Sequence, residues 1–331
     1  MPAIPATMRA VGFNEHLPIE DPSSLVDLTV AVPSVSGHDI LVQVQSVSVN
    51  PLDAKLRSSR GFFQAVVAQN TRKILGYDAS RVVVAVGSDV SLFKVGDEVY
   101  YAGSWPKSLS FTDAAALPLT VLTAYESLFH RLQIPEKSPT ESNKAVLILN
   151  GAGGVGSVTI QLLKELTDLT MIASASRPQS SAWVQELGTD HVVNHAGDIP
   201  SQLAAIGIPQ VDYILVFTEL APHFDAIEQV IKPQGKICTI LPLTESLPLH
   251  KLFFKSVAIV WELMFTRAIY TTDDIAEQHH VLNRVSDLVD AKRIRTTVSG
   301  CLGTINAANL KKVLAILEHH HTVGKVVLTG F

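Results

Sequence analysis

Cysteine is nearly absent from this chain: its 331 residues contain only Cys238 and Cys301. Two thiols exclude both a disulfide framework and a four-cysteine zinc lobe. An excess of positive charge is lacking too. With 26 Lys and Arg against 31 Asp and Glu, the formal charge is −5, which gives no electrostatic case for binding nucleic acid or an anionic membrane. Every long apolar run is interrupted short of the roughly 20 residues that a bilayer span needs. The opening Met1-Pro2-Ala3-Ile4-Pro5-Ala6-Thr7 has neither the basic nor the apolar region of a secretory signal, so a cytoplasmic location is the expectation. There is no internal repeat and no low-complexity tract. What is present is a globular balance, 47% hydrophobic and 17% charged residues, in a chain long enough that two domains are expected.

The first hundred residues read as short strands separated by turns. Residues 39–49 alternate apolar and polar in the strand period, residues 80–86 form a dense β-branched run closed by Gly87, and Gly96-Asp97 turns into another strand. From Ser110 the spacing becomes helical, and the polar, proline-marked stretch 135–140 closes that region. A β-α rhythm follows. Strands are expected at 145–149, 170–175, 192–193, 211–216 and 236–240, with helices at 157–166, through Trp183 and Leu187, and around 224–231. Strands alternating with helices imply an α/β fold with a doubly wound parallel sheet. Two more amphipathic helices, at 272–291 and 307–319, precede a closing strand at 325–329.

Gly151-Ala152-Gly153-Gly154-Val155-Gly156 satisfies G-x-G-x-x-G directly after an expected buried strand and at the start of an amphipathic helix. In that context the glycines allow a tight turn and let backbone N–H groups approach a pyrophosphate at the positive end of the helix. A site selective for NAD places Asp or Glu at the end of the second strand, about 20 residues on, to bind the ribose 2′-hydroxyl. This chain has Ser174-Ala175-Ser176-Arg177 there. Two hydroxyls and a guanidinium suit a 2′-phosphate, which a carboxylate would repel. The expected cofactor is therefore NADP(H).

Seven stretches together carry a family resemblance. Besides the glycine loop they are Ser48-Val49-Asn50-Pro51-Leu52-Asp53, Leu75-Gly76-Tyr77-Asp78-Ala79-Ser80, Ala116-Leu117-Pro118-Leu119-Thr120 through Ala124, Trp261-Glu262-Leu263-Met264-Phe265-Thr266-Arg267, Ile305-Asn306-Ala307-Ala308-Asn309-Leu310 and Gly324-Lys325-Val326-Val327-Leu328. With them the chain resembles, over nearly its whole length, the quinone oxidoreductase-like branch of the medium-chain dehydrogenase/reductase superfamily, and within it the zinc-type alcohol dehydrogenase-like group. The resemblance implies a GroES-like, mostly-β catalytic domain from residues 1–118 with 293–331, a Rossmann NADP-binding domain at 119–292, and an active site in the cleft between them. By position it places Asn50 and Asp53 at the nicotinamide end of that cleft, Thr123 on the nicotinamide side, and Lys325 in the same cleft. It also places Asn194 and His195 near the adenosine ribose phosphate. In two places the chain departs from its relatives. They continue for a further strand-forming segment between the equivalents of Ser104 and Trp105, and they usually carry glycine where Arg81 stands.

Zinc alcohol dehydrogenases place a cysteine near the end of the third N-terminal strand and a His-Glu pair further on. At the resembling positions this chain has Asn50 and Tyr77-Asp78. Neither an amide nor a phenol readily replaces thiolate or imidazole on Zn²⁺, so no metal site is expected. The runs His279-His280 and His319-His320-His321 lie on or near expected helix ends, and the latter suits a helix C-terminus, where cationic or hydrogen-bonding side chains meet the negative end of the dipole. Without a strong Lewis acid, hydride delivery to an acceptor that is already electron-poor is the expected reaction, a small quinone or an α,β-unsaturated carbonyl. Tyr77 is the expected hydrogen-bond donor to the oxygen that gains charge, with Lys55 and Arg57 as further cations nearby. An NADPH-binding redox sensor or structural protein without turnover is the alternative. A homodimer is the expected assembly.

Overall fold

The computed structural model describes residues 3–58, 73–101, 103–104, 106–138, 143–319 and 322–331. Two units emerge, the first from residues 1–119 with 278–331 and the second from 120–277. In the first, β1 (Thr7–Phe13) pairs antiparallel with β2 (Val26–Ala31) and with the short β4 (Lys73–Ile74). A six-stranded sheet combines β3 (Ile40–Ser48), β5 (Asp78–Val86), β6 (Glu98–Tyr100) and β7 (Gly103–Ser104) with strands of the returning tail. β3 and β5 form its longest ladder, running from Ile40 opposite Val86 to Ser48 opposite Asp78. That register brings the C-terminal end of β3 beside the N-terminal end of β5, where the candidate residues gather. The step from Ser104 to Trp105 falls at a position outside the described residues.

The second unit is a parallel sheet of β8 (Ala145–Leu149), β9 (Thr170–Ser174), β10 (His191–Val193), β11 (Val211–Val216), β12 (Ile231–Thr239) and β13 (Ala258–Trp261). Its strand order is β10-β9-β8-β11-β12-β13, and every pairing is parallel. In such sheets ligands bind beyond the carboxyl ends of the strands where the order reverses, here between β8 and β11. β8 is buried at all five positions, because a central parallel strand is covered on both faces. Leu147, Leu149, Ile172, Ile214, Val216 and Ile237 form the centre of this core.

The tail completes the first unit. β14 (Val298–Cys301) pairs parallel with β15 (Lys325–Thr329), and β15 pairs antiparallel with β3. The helix Ala307–Glu318 packs Leu310, Val313 and Leu314 against Phe13, Leu25 and Leu328. The helix Glu277–Asp290 also belongs to this unit almost entirely, although the sequence had placed it with the nucleotide-binding part. Polar contacts explain its allegiance. The Tyr100 hydroxyl donates to the Leu282 carbonyl at 2.7 Å, and the Asp290 carboxylate accepts from the amides of Lys107 and Ser108. Arg57 is buried rather than free to stabilise an anion: its guanidinium pairs with Glu318 and donates to the Leu17 carbonyl.

Candidate functional site

The loop 151–156 connects β8 to the helix Gly154–Leu166. It begins at Asn150, whose φ of 63° is a left-handed conformation that asparagine tolerates better than most residues. The Asn150 amide group donates to the Phe217 carbonyl at 3.1 Å, and its backbone N–H donates to Ser174 Oγ at 3.0 Å. Gly151 N–H in turn donates to the Ser174 carbonyl at 3.1 Å. The glycines are required by space. A Cβ on Gly151 would lie 2.8 Å from the Ala173 Cβ, and one on Gly156 would lie 2.5 Å from two backbone carbonyl oxygens. Gly153 caps the helix, and Val155 is half-buried on its first turn. This cradle fits a dinucleotide pyrophosphate.

At the end of β9 the expected residues divide. Ser174 is buried, with its hydroxyl accepting from Asn150, so it supports the loop rather than reaching outward. Ser176 is exposed, and half-buried Arg177 caps the helix Pro178–Leu187 through its backbone N–H to Ser180 Oγ at 3.1 Å. Beyond β10, the Asn194 side chain accepts from the Ala196 amide at 2.9 Å and so shapes the turn that presents His195. The His195 ring packs edge-on to His223 at 6.3 Å. Burial holds the His195 pKa down, and the nearby Arg177 charge adds to the effect; His223 is lowered by burial and by His195. Three groups able to carry positive charge thus converge at one place. The sequence reading missed His223, because β11 and the loop after it give no local signal of proximity to β10.

Asn50, Asp53, Asp78 and Lys325 meet at the β3–β5 junction of the first unit. The Asn50 amide nitrogen donates to Asp78 Oδ2 at 2.8 Å and to the Ser48 carbonyl at 3.3 Å, while its oxygen accepts from Lys325 Nζ. Lys325 is 4% exposed. Its ammonium also donates to the Val49 carbonyl at 3.2 Å and to Asp78 Oδ2 at 3.3 Å. All three of its donors are therefore directed into this cluster, so Lys325 orders Asn50 instead of presenting its ammonium to a cofactor. Burial depresses its pKa against the pull of Asp78. Asp53 Oδ2 accepts from the Asn50 backbone N–H at 2.8 Å. Burial pushes the Asp53 carboxyl up to about 6, in spite of that hydrogen bond and of Lys325. Tyr77 is half-buried, and burial together with the Asp53 charge raises its phenol pKa. Asp78, which the sequence quoted only as part of a motif, anchors the group and also accepts from the Leu119 amide at 2.8 Å. The donor set does not fit zinc: both ends of the Asn50 amide are engaged, and an ammonium already lies against its oxygen.

Thr123 lies nearly buried on the helix Pro118–Tyr125 of the second unit. That helix continues as a π-helical segment, Glu126–Arg131, and leads into a second ionic cluster. Glu126 and Glu262 are 1% and 2% exposed. Arg131 Nε donates to Glu262 at 2.6 Å, and Arg267 approaches Glu126 at 2.5 Å and Asp274 at 2.8 Å. The Trp261–Arg267 motif thus supplies two members of a buried charge network. Burial and the neighbouring Glu126 raise the Glu262 pKa well above the ordinary carboxylate range. The folded state therefore holds this proton at pH values where the unfolded chain has released it, and stability falls as pH rises. Raising pH from about 6.5 to 8.5 is expected to cost the second unit roughly 1–3 kcal/mol. Glu262→Gln should flatten that slope in thermal melts, and an unchanged slope would overturn the assignment.

Two family models match parts of the chain. The model of the alcohol dehydrogenase GroES-like domain matches residues 36–114, and that of the zinc-binding dehydrogenases matches 187–328. A zinc-type alcohol dehydrogenase-like protein of Staphylococcus epidermidis is 33% identical, over 97% of this chain and 99% of its own length. An NADPH-dependent alkenal/one oxidoreductase of Arabidopsis thaliana is 26% identical, over 98% of this chain and 80% of its own. A solved structure from Rhizobium etli, described as a zinc-dependent alcohol dehydrogenase protein, superposes with a TM-score of 0.90 at 41% identity, covering 98% of both chains. The chain belongs to the medium-chain dehydrogenase/reductase superfamily, in its quinone oxidoreductase-like branch.

Proposed function

We propose that this oxidoreductase is a zinc-free, NADPH-dependent reductase of quinones or α,β-unsaturated carbonyls. The observation that carries the reading is the state of Asn50. Where zinc relatives hold a thiolate, this chain has an amide tied to Asp78 and Ser48 at one end and to Lys325 at the other. With no ligand set for a Lewis acid among the described residues, the acceptor must already be electron-poor. The similarity to an alkenal/one oxidoreductase supports that substrate class.

The loop 151–156 and the N-terminus of the helix Gly154–Leu166 would hold the pyrophosphate, with Arg177, His195, His223 and exposed Ser176 around the 2′-phosphate and Thr123 toward the nicotinamide. NADPH, when bound, supplies the hydride. The protein's own task is to hold the acceptor and stabilise the oxygen that gains charge, and the raised pKa of Tyr77 keeps its phenol a donor for this purpose. A homodimer is the assembly proposed, because β13 is the outer strand of the parallel sheet and leaves Trp261 half-exposed. The free thiols Cys238 and Cys301 support a cytoplasmic setting.

The test is NADPH consumption against a panel of quinones and enals after treatment with a chelator, together with fluorescence titration of both cofactors. A charge-assisted contact from Arg177 to the 2′-phosphate is worth about 1.5–3 kcal/mol, or roughly tenfold to a hundredfold in affinity. NADPH should therefore bind at least tenfold more tightly than NADH, and Arg177→Ala should remove most of the preference while leaving NADH affinity unchanged. Equal dissociation constants in the unmodified protein would overturn the cofactor choice. Tight binding without turnover of any acceptor would favour a redox sensor.

A further inference from the structure

The glycine loop is tied to its neighbours in the second unit at three points. Asn150 fastens its start to Ser174 Oγ at the end of β9 and to the Phe217 carbonyl just after β11. The third tie comes from the helix Pro178–Leu187. Trp183 Nε1 donates to Ser157 Oγ at 2.8 Å, and that hydroxyl lies 2.7 Å from the Gly153 carbonyl and 3.4 Å from the Ala152 carbonyl. Ser157 is buried and Trp183 half-buried. Chemistry sets the direction of the relay. An indole N–H can only donate, so Ser157 Oγ receives it as an acceptor and turns its own proton to the loop carbonyls. The Gly153 carbonyl also accepts from the Ser157 N–H at 2.9 Å, the first bond of the helix Gly154–Leu166. Because the peptide from Gly153 to Gly154 is planar, a carbonyl aimed into that helix sends the Gly154 N–H out of its N-terminal end. There it joins the N–H groups of Val155 and Gly156, which lie in the first turn and have no partner within the helix. Neither Gly153 nor Gly154 has a Cβ to resist rotation of this peptide, so the restraint falls to the relay.

We infer that Trp183 is a positioning residue for the pyrophosphate-binding turn: through Ser157 it holds the Gly153–Gly154 peptide in the orientation that presents the helix N–H groups to a dinucleotide. The inference rests on the reading of residues 151–156 as the pyrophosphate cradle. A turn that is ordered beforehand has less freedom to lose when its ligand arrives, and the difference appears as affinity. The helix that carries Trp183 does not depend on this bond for its own place. Val184 and Leu187 are buried, and the left-handed Gly188 that ends the helix sits so close to the Lys164 side chain that a Cβ there would lie 2.5 Å from Lys164 Cδ. Arg177 is likewise fixed at the other end by Ser180. Loss of the indole N–H therefore loosens the glycine turn and leaves the end of β9, with Arg177, where it is.

The test is calorimetric titration of NADPH, ADP-ribose and adenosine 2′-monophosphate into the wild type, Trp183→Phe, Ser157→Ala and the double variant. ADP-ribose carries the pyrophosphate without a 2′-phosphate, and adenosine 2′-monophosphate carries the reverse. Trp183→Phe keeps an aromatic ring and loses the N–H. It should weaken NADPH and ADP-ribose alike by about threefold to tenfold, the usual contribution of one neutral hydrogen bond. Adenosine 2′-monophosphate should stay within about twofold of wild type. Ser157→Ala should weaken the same two ligands at least as much, and the double variant should be no weaker than Ser157→Ala, because the relay passes through that hydroxyl. Unchanged ADP-ribose affinity in Trp183→Phe, equal weakening of all three ligands, or losses that multiply in the double variant overturns the relay and leaves the cofactor reading intact. A wild type that ignores adenosine 2′-monophosphate overturns the 2′-phosphate site alone, and the ADP-ribose comparison then decides. A wild type that binds neither NADPH nor ADP-ribose overturns the pyrophosphate reading and the relay with it.

Discussion

Gly156→Ala is expected to abolish measurable NADPH binding while leaving the first unit folded. The added methyl carbon would stand 2.5 Å from the carbonyl oxygens of both Asn150 and Gly151. These are backbone atoms at the turn out of β8, so no side-chain rotation can relieve the clash. Restoring contact distance needs a loop movement of the order of 1 Å, and overpacking of this kind typically costs about 1–3 kcal/mol. That movement also displaces the amides that would meet the pyrophosphate, so the binding loss should exceed about 2.7 kcal/mol, a hundredfold in affinity. Gly300→Ala is the control: a Cβ there meets nothing within 4 Å, and the variant should bind NADPH normally. Calorimetric titration of the two variants decides the matter. A Gly156→Ala protein with affinity within tenfold of wild type would mean that the loop is not the pyrophosphate site.

The same loop explains why the second unit was largely legible in the sequence. β8 is apolar and buried throughout, while β9 and β11 are buried at all but one position and carry the apolar stretches Met171–Ala173 and Tyr213–Val216, and the glycines mark the turn between the first strand and its helix. The first unit is harder to read. Its strand β2 alternates half-buried and exposed positions and carries Asp27 and Thr29, and β4 is only two residues long. The helix expected from Thr272 starts at Glu277, because Thr272 and Asp274 are engaged in a turn in which Asp274 pairs with Arg267. The candidate site was legible only in part. Asn50, Asp53 and Tyr77 are flagged by the family resemblance, but their connection is not. Asp78 and Lys325 are 247 residues apart, and only the pairing of β15 with β3, and of β3 with β5, brings them together. His195 and His223 meet for a similar reason, through parallel strands rather than through sequence spacing.

That long-range pairing leads to the second large expectation: Lys325→Met should destabilise the first unit by about 3–5 kcal/mol, the usual cost of removing one partner from a buried ionic group. Methionine matches the length and most of the volume of lysine, so the loss is not mainly one of packing. What disappears is the only ammonium among the described residues that is bonded to Asp78 and to the Asn50 oxygen. Asp78 keeps the Asn50 amide and the Leu119 N–H, but those are neutral donors facing a full charge. The carboxylates must then be protonated or hydrated, and so the defect should grow with pH and shrink toward about pH 5, where protonation is easier. The double variant Lys325→Met with Asp78→Asn should recover at least half of the lost stability, because it removes the stranded charge along with its partner. Thermal melts that resolve the two units, run at about pH 5 and pH 8, give the comparison. A single variant within 1 kcal/mol of wild type at both pH values, or a double variant no better than the single, would mean that the ammonium is not what holds the junction of β3, β5 and β15 together.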